Sequence, residues 1–154
     1  MTTDALTVRP GPLLSTRTVK LILHALLSGA FLVAYFSGDE DTYAMHLAAG
    51  YLTLVVLTAR IGAGLTASAG HLLHLPQPGR LADLVRRPWS AGSWLTALLL
   101  AGIASACISG VFADQLPRSL VGHLHGGLGE IAMNLALAHI LFVSALWLRG
   151  RLKR

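Results

Sequence analysis

The sequence predicts an all-α integral membrane protein, a bundle of four transmembrane helices with both ends in the cytoplasm. Its 154 residues are 54% hydrophobic and only 12% charged, whereas an ordinary soluble domain has about 25% charged residues. A chain of this composition cannot cover its apolar surface in water, so lipid must contact much of it. Four long apolar segments and the one-sided placement of the basic residues complete the prediction.

Each of the four apolar segments is long enough to cross a bilayer as a helix. About 20 apolar residues span a hydrocarbon layer of ~30 Å, and a helix satisfies all the backbone hydrogen bonds of a single segment in lipid. The segments lie at about 18–37, 43–65, 92–112 and 119–148. We therefore expect one transmembrane domain over 18–149, a cytoplasmic tail at 1–17 and a basic cytoplasmic tail at 150–154.

The basic residues determine the predicted orientation. Eleven of the twelve Lys and Arg residues precede helix 1, fall at the end of helix 2 or in the loop to helix 3, or close the chain, and only Arg118 falls on the other side. Because basic loops stay in the cytoplasm, we expect both ends there, in a bacterial inner membrane crossed several times. The net charge of +5 forms no continuous basic stripe, so nucleic acid is not expected as a partner. The long loop contains a short candidate helix, 80–87, at the inner surface.

Four of the seven histidines fall inside apolar segments, where an ionisable residue is a functional hypothesis by default. His125 and His139 are 14 residues apart, which places them about 40° apart on one face of helix 4 and ~21 Å apart in height. His123 lies 16 residues from His139, about 160° round the helix, and we interpret it as an interfacial neighbour. One face of helix 4 thus carries an imidazole near each side of the membrane.

The predicted depths of these histidines in the membrane indicate which of them lie close together. On helix 1, His24 lies ~9 Å above the inner boundary, and on helix 4 His139 lies ~15 Å from the same boundary. His46 is in the first turn of helix 2 at the outer surface, where His125 is near the start of helix 4. We expect His24 to pair with His139 towards the cytoplasm, and His46 with His125 towards the outside.

Paired imidazoles across a helix bundle can supply the two axial ligands of a six-coordinate haem, whose porphyrin provides four equatorial nitrogens. Zinc fits less well because it gathers about four ligands at one point, and a single histidine can simply bond a neighbouring helix. Covalent c-type haem is excluded, since the one cysteine, Cys107, is not part of a Cys-x-x-Cys-His motif. The sequence therefore predicts two haem b groups whose iron is ligated by His24, His46, His125 and His139.

Glycines near the histidines are candidates for contact with the haem. Gly126 and Gly129 follow His125, and Gly50 lies one turn after the histidine of helix 2. A flat macrocycle needs backbone that it can approach closely. Small residues also let membrane helices pack, and Gly110 in helix 3 fits either purpose.

Ionisable residues elsewhere leave alternatives open. Arg60 and Lys20 are candidates for pairing with a haem propionate, or are cations that reach the inner interface. Glu130 is expected to orient an axial histidine, relay protons or bond another helix. His71 and His74 either line a quinone pocket near the inner haem or are solvated loop residues.

These residues resemble the bacterial cytochrome b561 and Ni,Fe-hydrogenase b-type cytochrome superfamily over about 18–149. The family often has His-Trp in helix 1 and His-Glu at the start of helix 4, whereas this chain has His24-Ala25 and His125-Gly126. Those departures spare the ligands but leave the subfamily open. The runs that carry the resemblance are His24 with 31–35, 37–40, 46–51, 60–64, 87–92, 109–112 and the step from His125 to His139.

The resemblance implies two haems b with bis-histidine ligation from helices 1, 2 and 4, and exchange of electrons with membrane quinone. Very short outer loops favour a separate periplasmic oxidoreductase or cytochrome as the second partner. We therefore expect an electron-transfer cytochrome between that partner and quinone. Two alternatives stay open: a superoxide:quinone oxidoreductase that needs no partner subunit, as some relatives are, and a haem-free membrane scaffold.

Overall fold

A computed structural model of the chain describes residues 14–79, 90–115 and 120–154. Every regular element within these ranges is helical, so the all-α prediction is confirmed. The predicted surface helix at 80–87 lies outside the described residues, as do five of the basic residues behind the orientation: Arg9, Arg80, Arg86, Arg87 and Arg118. The elements are α1 (Thr16–Phe36), a 3-10 turn (Glu40–Thr42), α2 (Tyr43–Thr66), α3 (Ala91–Gln115) and α4 (Leu120–Leu152).

The four α-helices are long and apolar enough to cross a membrane. Many of their large apolar side chains point away from the protein: Phe36 is 73% exposed, Leu141 70% and Val55 65%. Exposing such an apolar surface to water is unfavourable in free energy, whereas lipid tails are as apolar as these side chains. The chain is a multi-pass helical membrane protein.

The helices form two antiparallel hairpins. α1 packs along α2, α3 packs along α4, and the hairpins meet mainly where α2 contacts α3. Glycines allow the close approach within the second hairpin, because Gly92 faces the ring of Phe142 and Gly102 faces Ala132 and Leu135. Small residues thus fix how α3 and α4 lie beside each other.

The bundle has two ends, which we name by the chain segments found there. The turn end contains the 37–42 connection, the last residues of α3 and the first residues of α4. The terminal end contains the start of α1, the end of α2, the start of α3 and the end of α4. The orientation prediction places the terminal end in the cytoplasm.

α1, α3 and α4 each extend two or more residues beyond the limits that hydropathy predicts, α3 as far as Gln115. α1 begins at Thr16, within the predicted tail at 1–17, because the Ser15 hydroxyl oxygen caps it by accepting a backbone N–H from Thr18 at 3.2 Å. α4 continues to Leu152, past the predicted end at 148 and into the predicted tail at 150–154. A helix does not have to stop where the hydrocarbon layer stops.

Local interactions support the extra turn of α4. Arg149 and Arg151 occupy its last turn, where cations interact favourably with the negative end of the helix dipole. The Arg151 guanidinium also lies over the Trp147 ring, 4.8 Å from its centroid.

A buried cluster at mid-bundle joins all four helices. Thr53, a buried polar residue that is 1% exposed, donates its hydroxyl to the Ala49 carbonyl at 2.8 Å, as a membrane interior requires. The cluster separates the two ends of the bundle and contains Leu27, Phe31, Val56, Leu57, Ile103, Ala132 and Met133.

Candidate functional site

Two cavities lie between the hairpins, one towards each end. The turn-end cavity has a volume of about 570 Å³ and its walls include His46 and His125. The terminal-end cavity has a volume of about 440 Å³ and its walls include His24 and His139. Both volumes fall in the range of small-molecule and cofactor sites, and Phe31 forms part of the wall of each.

The turn-end cavity brings two of the predicted ligands into contact. His46 Nε2 on α2 lies 3.5 Å from His125 Nε2 on α4. Their ring centroids are 5.7 Å apart and the ring planes differ by 75°. The two imidazoles therefore face each other across the hairpin boundary through the same ring nitrogen.

Backbone carbonyls determine which nitrogen of each ring carries the proton. His46 Nδ1 lies 2.7 Å from the Ala34 carbonyl oxygen, and His125 Nδ1 lies 3.1 Å from the Ala106 carbonyl oxygen. A carbonyl only accepts, so in both bonds Nδ1–H is the donor. In the neutral rings both Nε2 atoms then present lone pairs to each other, an arrangement that suits two ligands of one metal ion.

α3 holds the His125 ring closely. A Cβ at Gly110 would come within 2.9 Å of His125 Cε1 and 3.3 Å of its Nδ1, so only glycine leaves room for the imidazole in this position. The Ser109 hydroxyl lies 3.3 Å from the same Nδ1. The sequence leaves Gly110 open to helix packing or to contact with a haem, and its 15-residue separation from His125 gives no local signal for this contact.

A polar group at the turn end was missed by the sequence analysis. The Asp114 carboxylate accepts hydrogen bonds from the Tyr51 hydroxyl at 3.1 Å and the Tyr43 hydroxyl at 3.5 Å. Tyr43 also stacks on the His46 ring, with centroids 6.3 Å apart and planes 17° apart. Asp114 lies beyond 112, the predicted end of helix 3, so its contact with α2 follows from the extra turn of α3.

The candidate glycines occupy different places. Gly126 and Gly129 line the turn-end cavity, and a Cβ at either would meet nothing within 4 Å. Gly50 lines a separate groove of about 50 Å³ beside His46. The cavity wall near His125 is thus open backbone that a flat ligand could approach.

Glu130 also lines the turn-end cavity. Its backbone carbonyl accepts from the Asn134 side-chain amide at 2.9 Å. The orienting partners of the histidines here are the Ala34 and Ala106 carbonyls. Glu130 is therefore not among the observed partners of His46 and His125, and its three possible roles stay predictions.

The terminal-end cavity brings together His24 of α1 and His139 of α4. His139 Nδ1 is buried and has no hydrogen-bond partner among the described residues. A buried polar atom without a partner is costly, which makes this ring a candidate for a ligand that the chain itself does not provide.

Cationic side chains line the same cavity. Lys20 and Arg60 both form part of its wall, and Arg60 Nη1 donates to the Leu73 carbonyl oxygen at 2.7 Å. That bond ties the loop after α2 against the cavity. Of the two loop histidines, His74 lines the cavity, whereas His71 Nδ1 accepts the Leu73 N–H at 3.3 Å in a turn outside it.

The four membrane histidines are arranged as pairs that could each provide two axial ligands, and not as a group of three or more residues that would hold a metal ion by itself. No three His, Cys, Asp or Glu side chains converge within the ranges that the structure describes, and the four membrane histidines occur two to a cavity. His46 and His125, whose Nε2 atoms lie 3.5 Å apart, would be the residues to hold a group that takes two axial ligands at the turn end.

Comparison with known proteins does not assign the chain to a family. It is 34% identical over 92 residues to the phosphoglucosamine mutase of Streptomyces avermitilis and 33% identical over 90 residues to that of Streptomyces coelicolor, in each case over 54% of this chain and 20% of the mutase. The chain thus spans about a fifth of the length of the curated relatives it matches. No protein-family model matches it. No solved structure matches it either.

Proposed function

We propose that this protein is a membrane-bound b-type cytochrome that transfers electrons through two bis-histidine haems, between a redox partner outside the membrane and the quinone pool. The observation that carries the proposal is the contact between His46 and His125, whose Nε2 atoms face each other at 3.5 Å while both Nδ1–H groups donate to backbone carbonyls. This arrangement fixes the tautomer and ring orientation that axial ligation requires. The resemblance to the cytochrome b561 superfamily supports the same function.

The second haem site of the proposal is the terminal-end cavity. His24 and His139 are its proposed ligands, and Lys20 and Arg60 stand on its wall where they could neutralise propionates. The orphaned Nδ1 of His139 indicates a ring whose hydrogen-bonding needs the chain leaves unmet. In each cavity the proposed ligands come from different hairpins, so a bound haem would join the two halves of the bundle.

The chain contributes ligands, orientation and a water-poor interior, whereas haem iron, when bound, supplies reversible one-electron chemistry. The Ala34 and Ala106 carbonyls hold His46 and His125 in the ligating tautomer. Gly126 and Gly129 leave the cavity wall open to a flat group. The proposed location is the bacterial inner membrane, with the turn end facing the periplasmic partner.

The superoxide alternative is not favoured by the turn-end cavity. Its walls include Asp114 and Glu130, and ionised carboxylates repel an anionic substrate. The partial likeness to phosphoglucosamine mutases does not support a mutase function for this chain, since it covers only 20% of those enzymes.

The proposal is tested by a reduced-minus-oxidised spectrum of the full chain, produced with ample haem and purified in detergent. We expect b-type bands that disappear when a quinone analogue is added to the reduced protein. His46→Ala should lower the haem content by about half, whereas His123→Ala, at an exposed position outside both cavities, should not change it. A protein without b-type bands would overturn the proposal in favour of the scaffold alternative.

A further inference from the structure

One side of α4 points away from the bundle and carries polar groups. Asn134 lies nine residues after His125, which places it about 180° round the helix from that ring. It is exposed and lines neither cavity. It also lies 14 residues after Leu120, about 21 Å along α4, in the middle of the segment predicted to cross the membrane. Glu130 is exposed one turn earlier, so a carboxamide and a carboxyl group both lie on the lipid side of this helix.

The Asn134 side chain has unused hydrogen-bonding capacity. Its Nδ2 donates to the Glu130 backbone carbonyl oxygen at 2.9 Å, whereas a carboxamide can donate twice and accept twice. Within the described ranges no other helix bonds Asn134 or the Glu130 carboxyl group. Lipid tails offer no partner, and polar residues in membrane helices almost always face protein or a water-filled cavity. We therefore expect another polar group to cover this side of α4.

The residues on this side of α4 have the spacing of a seam between two helices. Steps of three and four residues connect them and repeat every seven, as positions a and d of a heptad do, and one Asn at an a position typically sets the register of a parallel pair. A Cβ at Gly127 would meet nothing within 4 Å, and Leu141 is 70% exposed. We name this set the outer face of α4: Gly127, Glu130, Asn134, Leu137 and Leu141.

We propose that the outer face of α4 binds the same face of a second copy of this chain, forming a two-fold symmetric dimer within the membrane. Copies inserted with the same orientation have their Asn134 side chains at the same depth. A carboxamide both donates and accepts, so the identical residue on the second copy satisfies it. Gly127 lets the two backbones approach closely.

The inference goes beyond the proposed function and does not depend on it, because the outer face contains none of the proposed haem ligands. The self-complementary carboxamide favours a second copy over a helix of another protein, since two-fold symmetry provides the matching group at the matching depth. Glu130 belongs to this face and to the wall of the turn-end cavity. The dimer would therefore cover part of the surface beside that cavity.

Energy transfer between differently labelled copies tests the dimer. The full chain, labelled after Arg154 with a donor or an acceptor dye, is reconstituted into phosphatidylcholine vesicles at a series of protein-to-lipid ratios. Asn134→Leu keeps a side chain of similar size and removes the carboxamide. Because symmetry places this substitution in the interface twice, we expect the dissociation constant of the dimer to rise by about tenfold or more.

Ser105→Leu is the matched control. Ser105 is an exposed polar residue of α3 whose hydroxyl donates to the Ala101 carbonyl of its own helix at 2.9 Å, so its loss should leave the dissociation constant unchanged. Asn134→Gln keeps a carboxamide and should retain most of the association. Gly127→Leu is an independent variant, because its side chain has open space within its own chain but would hold two copies apart and weaken the dimer.

Cysteine cross-linking tests the symmetry of the interface. In a Cys107→Ala background, oxidation with copper phenanthroline should join two copies of Leu141→Cys by a disulfide, because a two-fold axis brings identical outer-face positions together. Val55→Cys, at a position of α2 that is 65% exposed, should not cross-link. Circular dichroism should give the same helix content for all these variants, which separates loss of the dimer from unfolding.

Three results would overturn the inference without touching the cytochrome proposal. The first is a chain that stays monomeric at every protein-to-lipid ratio, which would leave the outer face to a helix of another protein. The second is a dimer that Asn134→Leu and Ser105→Leu weaken equally. The third is cross-linking through Val55→Cys and not through Leu141→Cys, which would place the interface on another helix.

Discussion

At the scale of single residues, the position of His125 depends on its neighbours in α3. The Ala106 carbonyl accepts its Nδ1–H, the Ser109 hydroxyl lies 3.3 Å from the same nitrogen, and Gly110 leaves the space that the ring fills. α3 carries none of the proposed ligands. It acts on the site by orienting a ligand of α4.

Gly110→Ala tests this dependence. The added Cβ would lie 2.9 Å from His125 Cε1, closer than van der Waals contact allows, so the ring or the helix must shift at a cost of about 1–3 kcal/mol. We expect weaker haem retention at the turn-end site and an altered low-spin spectrum. Gly127→Ala, where a Cβ meets nothing within 4 Å, is the matched control, and equal effects of both variants would contradict the account.

The ligand candidates could be predicted from sequence because their evidence is local to each helix. The spacing of His125 and His139 fixes their common face, and helix direction fixes their depth. The contacts of Asp114 with Tyr43 and Tyr51 could not be predicted in this way. They depend on how α2 and α3 lie against each other across the hairpin boundary, which no periodicity within one helix encodes.

At the scale of the helices, adjacent residues of one helix differ strongly in exposure, because one side of the helix packs in the core and the other faces outwards. Val56 is 6% exposed and belongs to the core cluster, whereas the adjacent Val55 is 65% exposed. Burial from lipid gains little hydrophobic free energy, so packing contacts are what a core side chain contributes. Hydropathy predicted the existence of the four helices but not their ends. The ends depend on side-chain interactions, such as the cap at the start of α1 and the Arg151–Trp147 contact, which a hydropathy profile does not include.

Val56→Ala and Val55→Ala form a matched pair at this scale. Truncation of Val56 removes contacts in the core and should lower the free energy of unfolding by on the order of 1 kcal/mol. Val55 is mostly exposed, so its truncation removes few contacts within the protein and should change this free energy little. Unfolding in mixed micelles with increasing denaturing detergent measures both, and a larger loss at Val55 would mean that the helix is rotated from the orientation described.

At the scale of the whole molecule, two hairpins enclose two cavities on either side of one shared core. Each proposed ligand pair joins one hairpin to the other, with His24 and His46 from the first and His125 and His139 from the second. Cofactor binding should therefore stabilise the assembly of the hairpins, since a ligand that binds only the folded state shifts the folding equilibrium.

Orientation in the membrane is a separate prediction at this scale. The basic residues predict that the terminal end lies in the cytoplasm, so a reporter fused after Arg154 should be active if it needs the cytoplasm and inactive if it needs the periplasm. A reporter inserted at Gly38, in the turn between α1 and α2, should give the opposite pair of results. The same result at both positions would require an even number of crossings between the turn and the end of the chain. It would therefore contradict the three helices that follow Gly38.

The most direct test of the cytochrome account is the number of haems per chain in the purified protein. The account predicts two b-type haems per polypeptide, one for His46 with His125 and one for His24 with His139. Pyridine haemochrome absorbance against protein determined by amino-acid analysis gives this ratio. A ratio of two would agree with both cavities as sites, whereas a ratio of one would remove one ligand pair and a ratio of zero would contradict the central claim.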